Sequence, residues 1–160
     1  MTPPTPISQA NPQNFDAWWN ADGAWVEEPN RRRSGWSGMM RLRLGERLYY
    51  VKKQCNHLYR SLRDPFGAPT AAREYANILR LQALGLLVPV PVFYGSRITA
   101  QGFEAVLVTE ELTGFSALDM QTGLSEGDKS ALAVAVGKTL AILHRPHLQH
   151  SCLYDKHIMV

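Results

Sequence analysis

The sequence lacks any apolar segment long enough to cross a membrane. A spanning helix needs about 20 apolar residues, and the longest candidate, residues 131–143, is interrupted by Gly137, Lys138 and Thr139. The first residues, Met-Thr-Pro-Pro-Thr-Pro, have neither the basic nor the apolar region of a secretory signal. We therefore expect a cytoplasmic protein.

Cysteine is also scarce. The two cysteines, Cys55 and Cys152, are too few and too far apart for a disulfide framework or a zinc-binding pattern. The 160 residues are 45% hydrophobic and 19% charged, which is typical of an ordinary globular domain rather than a disordered chain. No metal site is predicted from these residues.

Positive charge is concentrated in the first half of the chain. Residues 1–80 contain 12 Lys and Arg against 7 Asp and Glu, a balance of +5, and residues 81–160 contain 5 against 7, a balance of −2. The basic half, including Arg31–Arg33, would attract phosphates, anionic lipid headgroups or nucleic acid. An ordinary solvated basic surface is an equally good interpretation of the arginine triplet.

The hydrophobic pattern predicts an α+β fold: five antiparallel strands, one helix inserted after the third strand, and a second long helix. Residues 1–15 are polar and rich in proline, and we expect them to be disordered. The clearest strands share apolar, aromatic or β-branched residues between turn signals and cover residues 39–44, 48–53, 90–95 and 103–109. The first helix is predicted to follow a loop at residues 57–69, with Thr70 as its cap and Gly85 as its end. The second helix is predicted to run from Ser125 to about Arg145, before Pro146.

A lysine on a strand and a glutamate on the next helix favour a phosphotransferase. Transfer from ATP needs a lysine that contacts the α- and β-phosphates and a carboxylate that holds this lysine. Lys52 shares a strand face with Tyr50, and Glu74 lies early in the inserted helix. Alternatively, Lys52 is an ordinary edge lysine, and Glu74 is an acid favoured by the helix dipole.

Two backbone segments are candidates for nucleotide contacts. Gly35 and Ser37 lie in Ser34-Gly-Trp-Ser-Gly38, where glycines leave room for N–H groups to approach phosphates, although a plain turn is the alternative. Glu110 and Leu112 flank the connector after an apolar strand, which could present C=O and N–H groups to an adenine edge. The alternative for this connector is a solvated turn.

The chain resembles the bacterial lipopolysaccharide core kinases of the Kdo/WaaP type, nearest their InaA-like group. The residues that carry the resemblance are Gly35-Trp-Ser37, Tyr49-Tyr-Val-Lys-Lys53, Ala72-Arg-Glu-Tyr75, Val88-Pro-Val-Pro91, Val108-Thr-Glu-Glu-Leu112 and His150 to His157. The resemblance implies a protein-kinase-like fold, with a small lobe at residues 16–112 and the incomplete start of a large lobe at residues 113–160. It implies ATP and magnesium as cofactors, a lipopolysaccharide core sugar as acceptor, and a location in the cytoplasm or at the inner-membrane surface.

The resemblance is weakest at the catalytic loop. Alignment on Tyr154 places His150 at the family's His, Cys152 at its catalytic Asp and His157 at its Asn. A cysteine lacks the carboxylate that accepts the hydroxyl proton, and the family's later magnesium-binding Asp has no counterpart before Val160. We therefore expect a truncated chain that does not turn over ATP.

Three hypotheses follow. The first is an ATP:sugar phosphotransferase family member that is inactive in this form, and the second is a pseudokinase-like module that binds a nucleotide or a partner. A nucleic-acid binder, suggested by the arginine triplet with Trp36 and Tyr59, lacks any recognised motif, and we expect no nucleic-acid partner. The long helix is also predicted to expose an apolar face that could drive self-association, formed by Leu132, Val136, Leu140 and Leu143.

Overall fold

The computed structural model describes residues 14–26, 28–32, 35–149 and 153–160. These residues form two compact units: one contains the described residues up to Leu79 together with Pro89–Glu111, and the other contains Arg80–Val88 and Leu112–Val160. The fold is α+β with an antiparallel sheet, as predicted.

The sheet belongs to the first unit, and within the described ranges it contains six strands rather than five. They are β1 (Ala24–Trp25), β2 (Asn30–Arg32), β3 (Gly35–Leu44), β4 (Arg47–Cys55), β7 (Pro91–Thr99) and β8 (Gly102–Glu110). The strand order is β1-β3-β4-β8-β7, and β2 also pairs with β3. The extra strand arises because β1 and β2 are both short and share one edge of β3.

The segment Gly35–Gly38 is part of strand β3, so the plain turn considered for it does not form. Ser37 pairs with Asn30 on one side and with Gln54 on the other. Gly35 lies against the backbone of Asn56, where a side chain would collide with carbonyl oxygens. Pairing on both edges of the strand thus overrides the local preference of Gly and Ser for turns.

The start of the described chain also differs from the prediction of a tail through residue 15. Helix α1 spans Phe15–Trp19, and the Asn14 side chain accepts a hydrogen bond of 2.9 Å from the Asp16 N–H. This is the expected role of an N-cap asparagine. The remaining residues of the predicted tail lie outside the described residues.

One face of the sheet carries the main core. Alternation along the strands brings apolar side chains onto this face, and Trp18 of α1 covers them with only 2% of its surface exposed. The buried cluster consists of Trp18, Ala21, Met40, Leu42, Val51, Val106 and Val108. Arg97 supports α1 from the sheet, because it pairs with Asp16 and Glu104 and lies 4.4 Å from the centroid of the Phe15 ring.

The opposite face packs against helix α2 (Thr70–Ala83). Ala71 is fully buried with Ala105 and Leu107, and the Tyr75 ring stacks on Tyr94 with centroids 5.1 Å apart. Thr70 is the first helical residue rather than the cap. The acceptor for the Ala71 N–H is instead the side chain of Gln54, on strand β4.

The polypeptide before and after α2 follows the prediction only in part. The segment predicted as a loop contains a two-stranded ladder of β5 (Leu58–Tyr59) and β6 (Ala68–Pro69). After the helix, Gly85 has a φ of +75°, and its N–H donates to the Gln82 carbonyl. The helix therefore ends at the predicted glycine signal.

Helix α3 (Glu126–His144) dominates the second unit. The Ser125 hydroxyl accepts a hydrogen bond of 3.2 Å from the Asp128 N–H, so the predicted N-cap is confirmed. No described side chain of α3 is buried, and Leu132, Val136, Leu140 and Leu143 are each partly exposed.

Two 3-10 turns lie in the second unit, at Leu118–Met120 and at Asp155–His157. Ser116 and Val160 exchange two backbone hydrogen bonds of 2.9 Å, which join the two segments. Among the described residues, the helices are all too short or too polar to span a bilayer.

Candidate functional site

Lys52 and Glu74 form an ion pair on the α2 side of the sheet. Alternation along β4 directs Lys52 toward α2, and its Nζ donates to Glu74 Oε2. The side chains are 23% and 38% exposed, respectively. An ion pair this accessible contributes only about 0–1 kcal/mol to stability. The pair does, however, hold a lysine amine at a surface that a ligand can reach.

Gln54, two residues further along the same face, was missed by the sequence analysis. It is 1% exposed, and its Nε2 donates to the hydroxyls of Ser37, at 3.1 Å, and Thr70, at 2.8 Å. Its Oε1 accepts the Ala71 N–H at 2.9 Å, and His57 Nδ1 lies 2.9 Å from the Thr70 hydroxyl. These partners are distant in sequence, and the only available signal was the period of two from Lys52.

The same network bears on the two residues predicted to cover phosphates. The Ser37 hydroxyl already accepts a hydrogen bond from Gln54 within the sheet. Gly35 begins β3, directly after the β2–β3 connection at residues 33–34, which lies outside the described residues. Gly35 forms the first described β2–β3 pair, with Arg32, whereas Ser37 lies two pairs further along, opposite Asn30.

The connector at the end of β8 is paired rather than simply solvated. The Glu110 carboxylate lies 2.8 Å from Arg47 Nη1 and raises the pKa of Arg47, and Glu111 pairs with Arg41. The N–H groups of both glutamates donate to backbone carbonyls at 2.9 Å. Within the described part of the chain, by contrast, the Leu112 N–H donates to no acceptor.

The structure describes only part of the predicted catalytic loop. His150 and Cys152 lie outside the described residues. His157 ends a 3-10 turn in the second unit, with its ring centroid 5.7 Å from that of Tyr154. Across residues 14–26, 28–32, 35–149 and 153–160, no three His, Cys, Asp or Glu side chains are grouped to hold a metal ion.

The aromatic residues considered for nucleic-acid stacking have partners within the protein. The Trp36 ring lies 5.8 Å from Trp19 and 6.5 Å from Trp25, centroid to centroid. The Arg73 guanidinium lies 4.8 Å from the centroid of the Tyr59 ring. Both side chains thus have a structural role in the first unit.

Comparisons with known proteins agree with this architecture. The model of the Lipopolysaccharide kinase (Kdo/WaaP) family matches residues 16–160. Protein InaA of Escherichia coli (strain K12) is 38% identical over 153 residues, which cover 91% of this chain and 70% of InaA. No solved structure matches the chain significantly. From the family match and this identity, we conclude that the chain belongs to the lipopolysaccharide kinase (Kdo/WaaP) family.

Proposed function

We propose that this chain binds ATP through Lys52, with Glu74 holding the lysine amine in place. The observation that carries the proposal is the Lys52–Glu74 ion pair between a sheet strand and helix α2 in a member of a kinase family. Phosphotransferases of this kind need a lysine for the α- and β-phosphates and a carboxylate that holds it. Because Lys52 is 23% exposed, its amine can exchange one carboxylate contact for phosphate oxygens.

Backbone groups complete the proposed nucleotide site. The Gly35 backbone would cover the phosphates, since a glycine lets N–H groups approach an anion closely. Ser37 would act mainly through its hydrogen bond with Gln54, which supports strand β3. The Glu110 carbonyl and the Leu112 N–H would bind the adenine edge. The Glu110 and Glu111 N–H groups, in contrast, are already used by the fold.

We further propose that the family activity, phosphoryl transfer to a sugar of the lipopolysaccharide core, is not performed by these 160 residues. ATP would supply the phosphoryl group, but the sugar hydroxyl needs a carboxylate to accept its proton. Cys152 stands at that position, and a thiol has neither the two oxygens nor the negative charge that a carboxylate carries at neutral pH. His150 and His157 stand at the family's His and Asn positions rather than at the position of this base.

ATP-dependent thermal stabilisation tests the nucleotide proposal. A ligand at 100 times its Kd stabilises the folded state by about 2.7 kcal/mol, so ATP should raise the Tm of the wild type by several degrees. Lys52→Ala and Glu74→Gln should abolish or weaken this shift, while Lys138→Ala, at an exposed position of α3, should retain it. Absence of a shift in the wild type, or an equal shift in Lys52→Ala, would refute the proposal.

Cys152 favours a second candidate, a pseudokinase-like module that binds a nucleotide or a partner without transfer. A longer chain that includes this sequence should then bind ATP but leave core oligosaccharide unphosphorylated. Phosphorylation of the oligosaccharide by that longer chain would eliminate the module. Turnover by the 160-residue chain that is lost in Lys52→Ala would contradict both candidates.

A further inference from the structure

Gln54 connects the lysine-bearing strand to the first turn of α2. Its side chain is 1% exposed, and its Oε1 accepts the Ala71 N–H, one of the helix N-terminal donors that lack a partner within the helix. Ala71 itself is fully buried against Ala105 and Leu107. The Gln54–Ala71 hydrogen bond therefore attaches the helix terminus to the sheet at a point that water does not reach.

This attachment and the Lys52–Glu74 pair lie side by side. Gln54 and Lys52 are two residues apart on one strand face, roughly 6.6 Å along β4. Ala71 and Glu74 are three residues apart on one helix face, roughly 4.5 Å along α2. Helix α2 is thus attached to β4 at two neighbouring points, which together restrict both its sliding and its rotation.

The two attachments differ in strength. Glu74 is 38% exposed, so solvent weakens its ion pair with Lys52. The Gln54 amide makes three hydrogen bonds in a buried setting. Loss of any one of them would leave a buried polar group without a hydrogen bond, which lowers stability. Of the two attachments, the one at Gln54 is therefore the more costly to break.

The network around Gln54 also determines which way its amide points. Ala71 offers an N–H and needs an acceptor, so the Gln54 oxygen must face the helix. The amide nitrogen then faces the hydroxyls of Ser37 and Thr70, and His57 Nδ1 lies 2.9 Å from the Thr70 hydroxyl. Both ends of the Gln54 amide thus meet partners of the opposite hydrogen-bonding character.

We propose that Gln54 is a positioning residue that places Glu74 against Lys52 without touching the nucleotide. The proposal rests on the proposed function for its link to ATP, while the placement of the ion pair is independent of it. Replacement of Gln54 by an apolar residue of similar length should loosen α2 and weaken both the Lys52–Glu74 interaction and ATP binding.

A double-mutant cycle measures the placement without any nucleotide. The coupling between Lys52→Met and Glu74→Gln is obtained from urea unfolding in the wild type and again in a Gln54→Met background. We expect the coupling to be lost in Gln54→Met and kept in Gln54→Glu, whose carboxylate still accepts the Ala71 N–H. Thr70→Val, a milder change, should reduce the coupling if Gln54→Met does not fold.

Val51→Ala is the matched control, since Val51 lies on the same strand but faces the main core. It should lower stability and leave the coupling intact. The proposal is overturned if the coupling in Gln54→Met equals that in the wild type. If Gln54→Met does not fold, the same comparison is made with Thr70→Val. Loss of the coupling in Val51→Ala also overturns the proposal.

ATP titration then tests the link to function. The Kd for ATP should rise about tenfold in Gln54→Met, as expected for the loss of one well-placed contact, and stay within about twofold of the wild type in Gln54→Glu. If the wild-type protein binds no ATP, the proposed function is refuted. The double-mutant cycle would still decide whether Gln54 positions the Lys52–Glu74 pair. An unchanged Kd in Gln54→Met would overturn the role in binding.

Discussion

Lys53 is a lysine on the main-core face of the sheet, and its burial makes the stability of the protein depend on pH. The residue is 7% exposed, and its Nζ donates to the Ala21 carbonyl at 2.6 Å. Burial lowers the pKa of Lys53 below its ordinary value of 10.5, and the nearby Asp22 only partly opposes this effect. Between the lowered pKa and 10.5, the unfolded chain binds more protons at this side chain than the folded one.

Stability should therefore rise with pH across that window, because deprotonation removes the penalty of a buried charge. In Lys53→Met the group is absent. The free energy of unfolding of the wild type minus that of Lys53→Met should then increase with pH, by at most about 1.4 kcal/mol per pH unit for a single proton. Below the lowered pKa the difference should be constant.

Urea unfolding between pH 7 and pH 10 measures this difference. The pKa values of Cys55 and Tyr59 are raised by burial, so these groups also titrate in alkaline solution, but both are present in each protein and their effects cancel. Lys138→Met controls for the loss of one positive charge. A difference between wild type and Lys53→Met that stays constant or falls with pH would refute the reasoning.

Three further predictions concern two glycine positions and one thiol. A methyl group at position 38 would lie 2.5 Å from Trp25 Cζ3, so Gly38→Ala should destabilise the fold by about 1–3 kcal/mol. Gly137→Ala, where no described atom lies within 4 Å, should stabilise α3 by about 0.5–1 kcal/mol in the same thermal unfolding assay. The pKa of Cys55 is raised by burial and by Glu104, so iodoacetamide should alkylate this thiol more slowly at neutral pH than free cysteine, as followed by peptide mass spectrometry. Faster alkylation, or stabilisation by Gly38→Ala, would contradict these expectations.

Features with short-range signals were predictable from the sequence. Ser125 caps α3 with a partner three residues away, and Gly85 ends α2 through its own positive φ. The Lys52–Glu74 pair was also anticipated, because a lysine on a strand followed by a glutamate on the next helix limits the possible partners. The roles of these two residues toward a nucleotide stay predictions.

Features that depend on distant partners were not predictable. Gly35 and Ser37 resemble a turn locally, but pairing with β2 and β4 makes them part of a strand. Thr70 has the chemistry of a cap, yet it is itself helical, and the Gln54 side chain on strand β4 accepts the Ala71 N–H. In both cases long-range hydrogen bonds outweigh a local preference that single-sequence patterns can detect.

The edge strand β7 has a consequence for how the protein behaves at high concentration. An edge strand with free N–H groups is a template on which a second molecule can add a strand. In β7, Pro91 has no N–H to offer, the register shifts between Pro91 and Phe93, and the charged Arg97 lies further along. These features oppose intermolecular β-pairing and amyloid-like growth at this edge. Strands β4 and β8, which carry Lys52 and the connector, lie in the interior of the sheet and are shielded from such growth.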